Sequence, residues 1–428
     1  MPAPDQLPGS GRILIAFSGG PDSVCLASLL AADSAGRALT AIHVDNGLDR
    51  NSHQRARQAV AIAADLGIDC RIETVDIAAG GGLEARARSA RYQALEHHLQ
   101  PEEVLLTAHQ ADDQAETILM RLLRGAGTRG LAGIPRQRRF GDGWLCRPLL
   151  DWSREEVCEW LEHHDLPWLD DPANHQPAFD RNYLHQEIMP RLEARWPGAR
   201  QAIRHSGKLC AEAAELVALR AAEDLETAGG PEERIKRDTL AGLTRFRRAE
   251  TLRLWLETRG APPPPAPRLL EFLDQLERTG PDAHPELRWN QHAVRASRDW
   301  VWHETGVEPD PDWQAWWDGR KPLELPGGLG RLRLTAPGLV EPFRVCFGRP
   351  GERIELGDPP RPKAVSELLA AAGIPAWHRP RWPRLWRDGQ LLAVGDRWLE
   401  PGLAAELCEM GSGLVWEGGL FGSALRLE

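Results

Sequence analysis

The chain has 428 residues, which a length prior divides into about three domains, and its 42% hydrophobic and 27% charged residues are the balance of a globular protein. A net charge of −10 argues against a surface that binds nucleic acid throughout, although a local basic face can hold phosphates on an acidic chain. No stretch reaches the ~20 uninterrupted apolar residues of a membrane span, and the polar start lacks the basic and apolar blocks of a secretory signal, so a cytoplasmic location is expected. The seven cysteines stand singly, without a Cys-x-x-Cys pair, which leaves zinc ribbons, iron–sulfur sites and dithiol chemistry without support. Oligomeric state has no signature, and a homodimer stays open.

The run over 13–17 is apolar and β-branched and suits a buried parallel strand. Ser18-Gly19-Gly20-Pro21-Asp22-Ser23 follows, and then Val24, Cys25, Leu26, Leu29 and Leu30 recur as one face of a helix. The turn therefore sits at a helix N-terminus, where unpaired N–H groups and the macrodipole favour an anion and the glycines admit it closely. It has neither the Gly-Lys-Ser/Thr ending of a Walker loop nor the Gly-x-Gly-x-x-Gly spacing of a dinucleotide fold. A strand-to-helix turn without a ligand is the plain alternative.

Further strands are expected at 39–44, 70–75 and 104–108, with helices at 51–66 and 83–98 between them. This alternation predicts an α/β domain around a parallel sheet. Ligands of open α/β sheets bind outside the carboxyl ends of the strands, which places Ser18, Asp45 and His109 in one crevice.

The last of these strands runs into His109-Gln-Ala-Asp112-Asp113-Gln114-Ala-Glu116-Thr117, with Ile118, Leu119, Leu122 and Leu123 continuing as a helical face. Acids in a first helical turn are an ordinary start signal. One or two acids fit that explanation, whereas His109, two aspartates, Gln114 and Glu116 together exceed it. Near bound phosphates such carboxylates hold Mg²⁺ or receive an ammonium group. From Arg121 to Arg139 come six arginines, at 121, 124, 129, 136, 138 and 139, without an Asp or Glu. They read equally as a phosphate-holding face or as a solvated surface.

From about residue 181 long helices take over, until Gly229-Gly230-Pro231 breaks the pattern near a domain boundary. Leu240, Leu243, Phe246, Ala249, Leu252 and Trp255 then mark a helical unit, a four-proline run from Pro262 to Pro265 a stiff connector, and 269–276 another helix. Past about residue 323, Gly-rich turns and short strands surround one helix at 364–372. Trp377, Trp382, Trp386 and Trp398 lie there among Arg379, Arg381, Arg384 and Arg387, as a small core with a charged rim or as a base-stacking, phosphate-holding surface. The expected domains are 1–220, 221–322 and 323–428.

The Ser18–Ser23 loop resembles the Ser-Gly-Gly-x-Asp-Ser pyrophosphate loop of the ATP pyrophosphatases. The 109–117 run resembles the His-x-x-Asp-Asp-Gln-x-Glu-Thr motif of the bacterial tRNA(Ile)-lysidine synthetase family. That resemblance extends through Arg121-Leu-Leu-Arg124-Gly125-x-Gly127, Gly130-Leu131-x-Gly133-Ile134, Arg147-Pro148-Leu149-Leu150, Asp170-Asp171-Pro172-x-Asn174 and Arg181-Asn182. It implies a Rossmann-like parallel sheet of the adenine nucleotide α-hydrolase type, then a helical domain and a small α+β domain. It implies ATP and Mg²⁺ as cofactors, and L-lysine and the CAU-anticodon isoleucine tRNA as partners. The implied reaction adenylates the wobble cytidine and replaces AMP by the lysine amine, which changes the tRNA from methionine to isoleucine identity.

Carried over by position, Ser18, Gly19, Gly20, Pro21, Asp22 and Ser23 would bind the ATP phosphates, and His43 and Val44 would contact adenine. Asp22, Asp113 and Glu116 would serve the metal, the last two serving the lysine ammonium as the alternative. Arg121 and Arg124 would hold the cytidine or the developing phosphate charge, and His109 would be a catalytic or positioning group. Arg129, Arg181, Arg379 and Arg381 would bind tRNA. The chain departs from the family pattern after the second strand, in Asp45-Asn46-Gly47-Leu48-Asp49, and at His185, where a second Arg is usual. A tRNA thiolase with the same loop is the nearest rival, though many of those need paired cysteines. A non-catalytic RNA-binding nucleotide fold would have let the loop and the acids erode.

Overall fold

The computed structural model describes residues 6–48, 51–77, 82–170, 180–230, 232, 234–280, 283–306, 308–336 and 341–418. The chain divides into two compact units, Met1–Val217 and Ala218–Glu428.

The first unit alternates β1 (Ile13–Ala16), α1 (Pro21–Ala32), β2 (Leu39–Asp45), α2 (Ser52–Asp65), β3 (Asp69–Thr74), α3 (Leu83–His97), β4 (Val104–Leu106) and α4 (Ala111–Leu123). There follow α5 (Thr128–Leu131), β5 (Gln137–Phe140), β6 (Gly143–Cys146) and α6 (Arg154–His163). One sheet results, in the order β3-β2-β1-β4-β6-β5, parallel except for β5 on the edge. The expected strands and helices stand within about two residues of their places. The β5–β6 hairpin has no counterpart among the expected elements, because its Arg-rich first strand is exposed and has no apolar alternation.

Residues Ile13, Leu14 and Ile15 are fully buried, as a central strand covered on both faces requires. Ile13 and Ile15 pack with Val24, Leu26 and Leu30 of α1, while Leu14 packs with Leu95 and Leu99 beyond the opposite face. Ile13 pairs with Leu39 on one side and Val104 on the other, so β1 sits where the chain switches direction across the sheet. A crevice opens at such a point, between the loops leaving β1 and β4.

Next, α7 (Asp180–Tyr183) passes through a π-helical turn, Leu184–Ile188, into α8 (Met189–Arg195). Pro190 has no N–H to donate, and its ring crowds the carbonyl four residues back; the widened turn ends just before it. The long α9 (Ala199–Thr227) contains the division between the units.

The second unit starts with β7 (Arg234–Lys236), α10 (Arg237–Ala241), α11 (Arg245–Thr258) and α12 (Ala266–Arg278), followed by β8 (Glu286–Trp289), β9 (His292–Ala296) and β10 (Trp300–Thr305). The expected helices are present, and they share a core with an antiparallel sheet, β7-β10-β9-β8, that helical periodicity does not announce. The remainder is mostly short strands: β11 (Gln314–Trp317), β12 (Leu323–Glu324), β13 (Arg331–Leu334), β14 (Phe343–Phe347), β15 (Arg353–Leu356), β16 (Arg361–Ala364), β17 (Pro383–Arg387), β18 (Gln390–Val394), β19 (Trp398–Leu399) and β20 (Leu414–Glu417). Helices α13 (Val365–Ala371) and α14 (Pro401–Glu409) complete it. Trp382 is buried and packs with Trp398 and Trp416, so the core reading fits these tryptophans.

Candidate active site

The loop after β1 is drawn tight by its own side chains. Gly20 is the residue before α1 and Pro21 opens the helix, where its missing N–H costs nothing. The Gly20 amide donates to Ser18 Oγ (3.2 Å), Ser23 Oγ donates to the Gly20 carbonyl (2.9 Å), and the two hydroxyls lie 3.1 Å apart. Gly19 has φ +79°, and a Cβ there would stand 2.8 Å from Leu169 Cδ1 and 3.1 Å from Ala59 Cβ. Only glycine fits, and the chain around Leu169 is tied to the loop by a 2.8 Å bond from its amide to the Gly19 carbonyl.

Asp22 faces inward from the first turn of α1. Its Oδ1 is shielded from solvent and has no hydrogen-bond partner. Burial, with the charges of Asp113 and Asp112, pushes its carboxyl up to about 7 against the opposing pull of Arg154 and Arg181. The two loops therefore converge: the acid of the first feels the acids of the second.

At the start of α4 the Gln110 amide donates to Asp113 Oδ2 (2.9 Å), and the Asp112 amide donates to Gln110 Oε1 (3.4 Å), a reciprocal cap. The simple capping explanation thus accounts for one oxygen of Asp113. Its other oxygen accepts from Arg181 Nη2 at 2.5 Å, and Arg181 Nε reaches Glu116 Oε2 at 3.2 Å. Glu116, whose side chain is 4% exposed, also accepts from His185 Nδ1 at 2.7 Å. Burial works against the charge of Arg181, and Asp113 and Glu116 together outweigh it. Arg181 from α7 and His185 from the π-helical turn that follows, four residues apart, thus both reach the acids of α4.

Arg181, expected at the tRNA, has its guanidinium paired with Asp113 and Glu116 in this structure. The same holds for Arg381, which reaches Glu304 and Glu308, and Arg379 Nε donates to the Ile374 carbonyl. Arg121 also works internally: its Nη1 donates to the carbonyls of Gly130 (2.9 Å) and Gly133 (2.6 Å), bracing the loop after α4. Arg124 lies 3.6 Å from Asp180 in an exposed pair, and Arg129 is exposed on α5. Gln114, whose structural role has no sequence signal, clamps the same loop through Ile134, accepting from its amide and donating to its carbonyl. Gly133, at φ +73°, leaves room for that clamp.

His109 Nδ1 shares a 2.9 Å hydrogen bond with Thr107 Oγ1. Burial, with Arg147, Arg88 and Arg181, pulls its pKa down to about 3 despite Asp113, so the ring is neutral in physiological conditions. His43, at the end of β2, donates from Nδ1 to the Phe17 carbonyl (3.0 Å), and Val44 beside it is half-buried. Asp45, expected in the crevice, ends β2 beside β1 and has local partners. It is buried, accepts from the Gly47 amide and pairs with His53 at 2.5 Å, which fastens the turn into α2.

The donor set suits Mg²⁺ in one way. That ion is typically held by one or two carboxylates plus substrate phosphates, and Asp22 Oδ1 lies unpartnered at the phosphate loop. Asp113 and Glu116 are already paired with Arg181. Among the described residues there is no group of three acidic, His or Cys side chains for a site made of protein alone.

The strand order and the glycine loop at a helix start define a nucleotide-binding α/β domain of PP-loop type, and the PP-loop domain model matches residues 4–192. The TilS substrate binding domain matches 236–302 and the TilS substrate C-terminal domain 343–416. The tRNA(Ile)-lysidine synthase of Alkalilimnicola ehrlichii is 41% identical over 91% of this chain and 90% of its own, and that of Pseudomonas aeruginosa 39% over 90% of each. The Escherichia coli O157:H7 enzyme is 34% identical over 96% of this chain and 98% of its own. Among solved structures, a tRNA thiolase from Methanococcus maripaludis is 20% identical, covering 49% of this chain and 74% of its own at a TM-score of 0.41. The chain belongs to the tRNA(Ile)-lysidine synthase family.

Proposed function

We propose that this chain joins L-lysine to the wobble cytidine of the CAU-anticodon isoleucine tRNA, at the crevice between the loops leaving β1 and β4. In the first step the cytosine ring carbonyl oxygen attacks the α-phosphorus of ATP; an oxygen–phosphorus bond forms and pyrophosphate leaves. In the second, the neutral ε-amine of lysine attacks the ring carbon that bears this oxygen, the carbon–oxygen bond breaks, AMP departs with the electron pair, and the new nitrogen gives up a proton. No described helix is long and apolar enough to cross a membrane. A cytoplasmic site of action is part of the proposal.

The observation that carries this reading is the juxtaposition of the phosphate loop, with its unpartnered Asp22 oxygen, and the acids Asp113 and Glu116. Ser18, Gly19, Gly20 and Ser23 would receive the phosphates on backbone N–H groups and hydroxyls, while Pro21, which has no N–H, sets the entry of the loop into α1. His43 and Val44 lie where an adenine would rest against the end of β2. Mg²⁺ held by Asp22 would neutralise phosphate charge there. Asp113 and Glu116, which already hold one guanidinium, have the charge and spacing to take an ammonium. His109, favoured in its neutral form by burial and anchored at Nδ1 by Thr107, has Nε2 to exchange a hydrogen bond with the substrate. Arg121 and Gln114 keep the loop over 125–134 in place beside the target base, and Arg124 and Arg129 lie on its exposed side.

The test is incorporation of labelled lysine into isoleucine and elongator methionine tRNA transcripts, both with CAU anticodons, with and without ATP and Mg²⁺. Label in the isoleucine transcript alone, dependent on ATP and abolished by Asp113→Ala or Ser18→Ala, is the expected result. Cleavage of ATP to AMP and pyrophosphate without label would keep the nucleotide site and refute the lysine assignment.

A further inference from the structure

The arginine run that sequence leaves undecided is divided between the two faces of the sheet edge. Arg138 and Arg139 are neighbours on β5, so their side chains leave on opposite faces. Arg139 stacks over Trp144, its direct cross-strand partner, with the guanidinium carbon 4.1 Å from the ring centre. Arg138 stacks over Phe140 at 4.9 Å on the other face, where Phe140 meets Tyr92 of α3 edge to face at 5.8 Å. Arg88, one turn earlier on α3, lies 5.1 Å over the Tyr92 ring and donates to its hydroxyl at 3.4 Å. Two exposed guanidinium groups, Arg88 and Arg138, are thus held over one aromatic floor.

Behind them stand two cations that the fold has already fixed. Arg147 is 4% exposed and donates from Nη1 to the Pro135 carbonyl at 2.7 Å, and Arg121 braces Gly130 and Gly133. Burial lowers the pKa of Arg147, and Arg138 and Arg88 lower it further against the pull of Tyr92; Arg121 is lowered by burial and then by Arg88. Among the described residues none of these four has a carboxylate ion pair. Four cations that repel one another, with no carboxylate paired to them among the described residues, are a cost to the folded chain that an anionic partner removes. Arg147 leaves β6 beside β4, the strand that leads to His109, so the group borders the crevice, and Arg147 and Arg88 both act on the charge of His109.

We infer that Arg88 and Arg138 form an RNA-backbone site that holds phosphates flanking the target nucleotide, with Arg121 and Arg147 supplying field from behind. The inference rests on the reading of an RNA substrate. Aromatic floors suit the role, because a stacked guanidinium keeps its edge free for a bidentate phosphate contact and loses little freedom on binding. ATP phosphates are the other candidate anion, but the loop at α1 already serves those.

The experiment measures tRNA affinity of the full-length protein against salt, with the ATP KM for pyrophosphate release read in parallel. Each phosphate contact contributes roughly 0.7 to 0.9 to the slope of log affinity against log salt. Arg88→Gln with Arg138→Gln lowers that slope by about 1.5 and weakens tRNA binding by about tenfold or more near physiological salt, while the ATP KM stays within about twofold. Arg88→Lys with Arg138→Lys restores most of the slope, since the charge is what the term reads. Arg139→Gln, equally exposed and equally stacked on the opposite face, leaves the slope unchanged. An unchanged slope in the double Gln variant, an equal loss in Arg139→Gln, or a raised ATP KM with normal tRNA binding would each overturn the assignment. Lysine incorporation by the wild type is scored separately: its failure would refute the ligase reading and leave the slope comparison intact.

Discussion

Asp22 is held at a cost that the resting fold does not recover, and replacing it should stabilise the protein while abolishing activity. Its carboxyl rises from 3.8 to about 7, first because it is buried and then because Asp113 and Asp112 stand near. For a group whose folded pKa is raised, the stability it contributes is fully present below 3.8 and is lost as pH rises towards about 7. At pH 8 the full penalty is about three units at 1.4 kcal/mol each, or roughly 4 kcal/mol, and partial solvent access reduces this to about 2 kcal/mol. Asp22→Asn removes the charge at nearly constant shape. The expected result is a gain of about 2 kcal/mol near pH 8 that shrinks to about zero near pH 4. Because the two units can unfold separately, the assay is amide hydrogen exchange at β1, which reports opening of the first unit alone. A gain independent of pH, or a loss near pH 8, would refute the reasoning.

Other perturbations test the surroundings of the site. In wild type, binding of ATP with Mg²⁺ should release about half a proton at pH 7 and close to one near pH 6 as Asp22 is driven to its charged form; calorimetry in buffers of different ionisation enthalpy measures it, and Asp22→Asn should release none. Arg181→Met leaves Glu116 buried without its strongest partner, at a cost of about 2 to 4 kcal/mol, and a double-mutant cycle with Glu116→Gln should show about 1 to 3 kcal/mol of coupling. Simple additivity in chemical denaturation would show that the pair contributes nothing. Gly133→Ala places a Cβ 2.5 Å from Gln114 Oε1 at φ +73°, so exchange of the Ile134 amide should accelerate at least tenfold while β1 stays protected. In the second unit, Glu304 is pulled to about 2: burial opposes the charge, and His378, Arg295 and Arg381 overcome it. Stability from Glu304 is present above 4.5 and lost as pH falls towards about 2, so Glu304→Gln should flatten the acid unfolding profile of β10 in that window.

Much of this site is legible in the order of its residues. A short, β-branched apolar run with no polar face suits a strand covered on both sides, and two glycines between it and an apolar helical face leave a tight, anion-receptive turn. The acids beginning at Asp112 are likewise conspicuous, because a helix start needs fewer. Less legible are the partners of those acids. Arg181 and His185 lie more than sixty residues from Glu116, and nothing in their spacing says that α7 and the π turn after it direct both at it. Long-range pairing leaves no local pattern.

The second unit makes the same point from the opposite side. Helical periodicity locates α11 and α12, yet the sheet they share a core with has strands of three to six residues, too short and too interrupted by turns to announce themselves. Arg379 and Arg381 look like free cations among tryptophans; only the fold shows Arg381 meeting Glu304 and Glu308, which stand some seventy residues earlier.

Chain order alone thus determined the class of fold, the phosphate loop and the family, because each depends on residues adjacent in sequence and governed by local backbone physics. Tertiary structure decided which charges meet. It alone showed that Asp22 shares a field with Asp113, that Arg181 is spent on α4, and that Arg138 and Arg139 face opposite ways. The physical reason is that electrostatic and packing energies depend on separation in space, which short-range sequence patterns do not encode.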